Sequence, residues 1–153
     1  MHDAILSVGG TEFLVVGVGG QRFALDVQTV REIRGWSTFT PVPHAPDFVL
    51  GMINLRGAVL PVIDLGGRLG RGPTEVTSAS VVVVVEISQS QAGLLVDEVC
   101  DIVSVAASEI QAAPDFGVHR GLAAVNGMVT TAEGILTLLD PAVIVPQMVL
   151  AAA

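Results

Sequence analysis

The chain breaks into short apolar runs of strand length, each bounded by glycine, proline or polar punctuation, and this pattern restricts its folds most. The runs are EFLVVGV (12–18), QRFALDV (21–27), REIRGW (31–36), INLRG (53–57), AVLPVIDL (58–65), SVVVVVEI (80–87), AGLLVDEV (92–99), GLAAVNGMV (121–129) and GILTLLD (134–140). They are rich in β-branched residues and spaced as strands of a barrel or sandwich would be. Gly19-Gly20 falls between the first two runs and predicts a hairpin turn. Helix signals are few. Pro46 stands where an N1 residue would precede DFVLG, and Asp140-Pro141 reads as an N-cap followed by N1, with a break near Pro146. The expected class is mainly β.

The runs repeat. At an offset of 69, FALDVQTVREI (23–33) overlays AGLLVDEVCDI (92–102): Leu25 meets Leu94, Val27 meets Val96, Val30 meets Val99, Glu32 meets Asp101 and Ile33 meets Ile102. GMINLRGAV (51–59) then resembles GLAAVNGMV (121–129) at an offset of 70, and VLPVIDL resembles GILTLLD at 76, a growth attributed to TTAEG. The expectation is two related half-domains, each a small barrel, joined near GRGPTEVTSAS (70–80), where turn and polar residues concentrate. In this alignment Asn54-Leu55-Arg56-Gly57 faces Ala124-Val125-Asn126-Gly127. The apolar residue and the glycine recur, but the arginine does not. Fold symmetry therefore leaves Arg56 unexplained, and a guanidinium inside an apolar run must find a partner or reach a surface.

Charge excludes several functions. The net charge is −8 with no lysine, and six of the seven arginines lie at or before Arg71. From Val76 onward only Arg120 opposes eight carboxylates, so a partner on that half should be basic. An electrostatic nucleic-acid binder or a module docking on anionic lipid would need the opposite sign. The valine run 81–85 is too short to span a bilayer, and MHDAILSVGG has no basic n-region, which together predict a cytoplasmic protein without membrane insertion. A single cysteine, Cys100, rules out an internal disulfide; its place in a strand-like run predicts a buried, inert thiol.

No catalytic constellation emerges. His2, His44 and His119 are not spaced to share a metal, GVGGQ lacks phosphate-loop spacing, and GGRLGRG, with Arg68 and Arg71, reads as a solvated turn. No metal or cofactor is expected. Recognition remains: VREIRGW (30–36) alternates apolar and charged residues as a strand with one exposed face would, and Glu32 is placed to pair with Arg56 or with a partner's cation.

VREIRGWSTFTPVPHAPDFVLGMINLRGAVLPVIDLGGRLG resembles the signature half of the CheW-like chemotaxis coupling proteins. GLLVDEVCDIVSVAASEIQAAPDFG matches that family's Val-Asp-x-Val strand leading to a Pro-x-Phe loop. The resemblance covers about residues 12–144. It implies two SH3-like five-stranded β-barrel lobes packed together, with short helices. Lobe 1 would be about 19–75, lobe 2 about 76–144 plus the N-terminal strand 12–18, with 145–153 a tail. It also implies a non-catalytic adaptor that docks on the regulatory domain of a CheA-type histidine kinase and on the cytoplasmic tips of chemoreceptors. The family's recognition positions fall on Val30, Glu32, Ile33, Gly51, Asn54 and Arg56. The alternatives are an array controlling twitching, gliding or biofilm output, or a β-barrel domain that binds a peptide at a strand edge.

Overall fold

In a computed structural model of the chain, residues 10–112 and 125–146 are described. His2, His119, Arg120, the Pro-x-Phe loop at 114–116, the start of the 121–129 run and most of the tail lie outside the described residues. The described chain folds as β1 (Gly10–Val18), β2 (Gln21–Asp26), β3 (Val30–Gly35), β4 (Val49–Leu55), β5 (Ala58–Asp64), β6 (Val81–Ile87), β7 (Ser90–Val96), β8 (Glu98–Ala106), β9 (Val125–Thr131) and β10 (Gly134–Leu139). Single-turn helices follow β5 (Leu65–Arg68) and β10 (Pro141–Ile144). The Asp140 cap is present, its Oδ1 accepting from Ala142 N at 3.0 Å, with Pro141 at the start. The helix expected after Pro46 is absent: residues 46–49 make a turn closed by Val49 N donating to Pro46 O, and the chain runs straight into β4.

The strands form two five-stranded β-barrel lobes. The first sheet has the order β8-β1-β2-β10-β9 and the second β3-β6-β7-β5-β4. Advancing each strand by five converts one order into the other, so the repeat is real at the level of topology. The lobes do not follow the boundary expected at residue 76, however. Strand 12–18 does join the strands of the second half, but β2 goes with it, while β6 and β7 join the first half. Each repeat thus lends its first hairpin to the sheet built from the other repeat's last three strands. The exchange is closed by two parallel pairings, β2 with β10 (Ala24–Leu138, Leu25–Leu139) and β5 with β7 (Val62–Gly93, Ile63–Leu94).

Burial supplies the physical reason. Strands β1, β2, β6 and β7 are apolar on both faces, and both faces need cover. Val82, Val84 and Leu95 point into the second barrel with Ile53, Leu55, Leu60 and Val62. Val83, Val85 and Leu94 point the other way, into a core shared with Leu14, Val16, Phe23 and Leu25 of the first sheet. Phe13, Val15 and Ala24 fill the first barrel with Val105, Val129, Leu136 and Leu138. The uninterrupted valines of β6 are therefore divided between two interiors.

The structure also corrects the repeat's alignment. Gly51 and Gly127 follow matching bulges in β4 and β9, and each lies beside a bridge to the preceding loop, Thr40–Met52 and Gln111–Met128. They are equivalent, 76 positions apart. The offset therefore changes ahead of β9, and the β9–β10 turn is no longer than its counterpart. Arg56 corresponds to Ala132, and Asn126 to Leu50.

Candidate functional site

Arg56 occupies the two-residue turn between β4 and β5. Both central residues have positive φ, 52° at Arg56 and 90° at Gly57, as in a type I′ turn. A β-carbon is disfavoured there, and asparagine or glycine would fit better than arginine. Asn54 steadies the turn: its Oδ1 accepts from Gly57 N at 2.9 Å. The turn leaves the Arg56 side chain 73% exposed.

The guanidinium reaches β3. Arg56 Nη2 donates to Glu32 Oε1, and Arg34 Nη1 donates to Glu32 Oε2 at 3.1 Å. A bulge between Val30 and Glu32 displaces Arg31, and beyond it strand alternation puts Glu32 and Arg34 on one face, where Arg34 and Arg56 share the Glu32 carboxylate. Arg31 turns elsewhere, its Nε donating to Glu86 Oε1 at 2.5 Å. The hydrogen bond from Arg56, then that from Arg34, holds the Glu32 carboxyl below the ordinary carboxylate range against a smaller opposing effect of desolvation. Glu32 in turn raises Arg56 further. β3 and β4 lie at opposite ends of the second sheet, so this ion pair spans the barrel's open side.

The six positions implicated by sequence separate into two groups. Ile33 (48% exposed), Asn54 and Arg56 are at the surface. Val30 packs against the shared core, Glu32 is half-buried, and Gly51 is buried against Thr40. Sequence reasoning missed Arg34, although the period-two alternation of VREIRGW places it beside Glu32. It also missed Val59, which is 53% exposed and pairs with Asn54 across the hairpin.

The equivalent surface of the first sheet has a different charge. Ile102 and Ile135, the counterparts of Ile33 and Val59, are 53% and 62% exposed. Asp101 replaces Glu32, but Val103 and Ala132 stand where Arg34 and Arg56 would be. Both lobes expose apolar residues at matched places. The second lobe places Arg34 and Arg56 around its carboxylate, whereas the first keeps Asp101 at that position and has instead, among the described residues, the pair of Arg22 with Glu133 at 3.4 Å.

Two further expectations change. Cys100 is exposed, because it is the bulged residue of β8, opposite no residue of β1. Partial desolvation, then the Glu98 carboxylate, still pushes its thiol up, which disfavours the reactive thiolate. Arg71 is exposed in its turn, as expected, but Arg68 is half-buried. Arg68 Nε donates to Ile144 O at 2.7 Å and Nη2 to Val143 O at 3.0 Å, with the guanidinium 5.0 Å from the Phe48 ring centroid. Arg71 Nη2 donates to Gly19 O at 2.9 Å. Unsatisfied backbone carbonyls at element ends attract both side chains.

Comparisons with known proteins agree with this architecture. The family model described as CheW-like domain matches residues 12–148. The chain is similar to the chemotaxis protein CheW of Rhizobium meliloti, at 45% identity over 128 residues, covering 80% of this chain and 83% of that protein. It is similar in structure to the scaffolding protein TtCheW of Thermoanaerobacter tengcongensis, with a TM-score of 0.81 and 29% identity, covering 89% and 88% of the two chains. A more distant relative is protein PilI of Pseudomonas aeruginosa, 35% identical over 98 residues, covering 64% of this chain and 53% of that one. The chain belongs to the CheW-like family of chemotaxis scaffold proteins.

Proposed function

We propose that this protein is a non-catalytic cytoplasmic scaffold that couples chemoreceptor tips to a CheA-type histidine kinase, with the Arg56 turn as a partner contact. The exposed guanidinium carries this reading. It sits on a backbone conformation unfavourable for arginine, is steadied by Asn54 and held by Glu32, and lies in one lobe only. Strained backbone of this kind persists where the surroundings support a function. Ile33, Asn54 and Arg56 would meet the partner, while Val30, Glu32 and Gly51 hold them in place. Exposed apolar residues provide contact area, and the charges provide register and specificity.

The matched apolar pairs, Ile33 with Ile102 and Val59 with Ile135, support docking on another barrel of the same kind, as the kinase regulatory domain of this family would be. No helix among the described residues is long and apolar enough to cross a membrane, so recruitment to a membrane-bound array would come through the receptor. The likeness to PilI favours one second reading, in which the array served controls an output other than flagellar chemotaxis.

The test is co-sedimentation with receptor-tip fragments and kinase. Arg56→Asn suits the turn and removes the charge. It should keep the fold and lose one of the two partners, and undiminished ternary assembly would overturn the role of Arg56.

A further inference from the structure

The strand exchange has a consequence for how the halves hold together. Among the described residues, the only ladders within 10–68 are the hairpins β1–β2 and β4–β5, and within 81–146 only β6–β7 and β9–β10. The four remaining ladders, β1–β8, β2–β10, β3–β6 and β5–β7, all join one repeat to the other. Neither repeat closes a sheet alone. The shared core is also made jointly: Leu25 and Ile63 of the first repeat pack with Leu94 and Leu139 of the second, and each is at most 2% exposed.

The connection between the repeats contributes little to this surface. Residues 70–73 and 75–79 are exposed and belong to no strand. Its anchors are polar: Thr74 N donates to Asp64 Oδ2 at 2.9 Å, and Arg71 binds Gly19 O. Asp64 is the counterpart of Asp140, but it makes no helix cap and holds the connection instead.

We propose that the two repeats are mutually recognising halves, so that the connection at 70–79 supplies only proximity. A chain cut there remains one native particle, and its halves exchange with those of a second cut copy. A short tether typically supplies an effective concentration in the millimolar range, so cutting at ~10 µM lowers the assembled-to-separated ratio by about 100-fold without removing a contact.

The experiment inserts a site-specific protease sequence between Glu75 and Val76 of the full chain, cuts the folded protein, and compares cut with uncut. The cut protein should elute at the uncut mass, unfold at a temperature that rises with concentration, and refold from urea to the same particle. Refolding a mixture of labelled and unlabelled cut protein should give mixed particles by native mass spectrometry. Should the insertion itself prevent folding, co-expressed halves 1–75 and 76–153, one of them tagged, should co-purify. Halves that part or precipitate on cutting, that fail to re-form under conditions where the uncut chain refolds, or that do not co-purify would overturn the proposal.

Discussion

Replacing Gly51 by alanine tests the link between packing and the recognition surface. A β-carbon at Gly51, where φ is +157°, would lie 2.4 Å from Thr40 O and 2.8 Å from Thr40 C. These are backbone atoms, so no side chain can swing aside. Thr40 O also accepts from Met52 N at 2.7 Å, and Thr40 N donates to Met52 O at 2.9 Å. Ordinary carbon contact requires the two backbones to part by about 1 Å, which stretches both bonds past useful length. Two weakened bonds at ~0.5–1.5 kcal/mol each, with ~1–3 kcal/mol of overpacking strain, give about 2–6 kcal/mol. For a chain of this size the melting temperature should fall by about 4–24 °C, read by circular dichroism. Gly57→Ala is the control, since its β-carbon would meet nothing within 4 Å and only the left-handed backbone is penalised. A Gly51→Ala protein that melts within ~3 °C of wild type would refute the packing account, because even ~1 kcal/mol moves Tm by ~2–4 °C. Partner binding would then have to explain the glycine. Gly127→Ala should act in the same direction but less strongly, because the backbone oxygen its β-carbon would meet, Gln111 O, is 2.9 Å away rather than 2.4 Å, and its nearest neighbour, at 2.7 Å, is the Ile110 side chain.

Two further outcomes follow from the same structure. Glu32 has a folded-state pKa below its ordinary value of 4.5, so its stabilisation is complete above that value and is lost as pH falls through the depressed one. The stability advantage of wild type over Glu32→Gln, measured by urea unfolding, should be present at neutral pH and vanish in strong acid; an advantage that persists there would contradict the ion-pair assignment. Leu94 and Leu95 are adjacent in β7, fully buried, and point into different cores, so alanine at either should cost about 2–5 kcal/mol. A cost below ~1 kcal/mol at one of them would show that one face of β7 is not tightly packed.

The mainly β class and most strands were legible because apolar runs of strand length, bounded by turn residues, leave few other ways to bury their side chains. The duplication was legible too, since Leu25 with Leu94 and Ile33 with Ile102 keep one spacing. The recognition segment stood out chemically. An arginine inside an apolar run needs an explanation, and Glu32 was already among the candidates for its partner.

The rest depended on contacts between segments distant in the chain. Alternation assigns a residue to a face of its strand but does not say which sheet accepts the strand, so the exchange of hairpins between repeats was hidden. Cys100 is exposed because a bulge against β1 turns it outward, and a bulge leaves no mark in local hydropathy. Arg68 and Arg71 bind carbonyls of Ile144 and Gly19, acceptors 76 and 52 residues away. Arg56 shows the division most clearly. Its oddity was visible in the sequence, whereas its pairing with Glu32, shared with Arg34, required β3 and the β4–β5 turn to meet across the barrel.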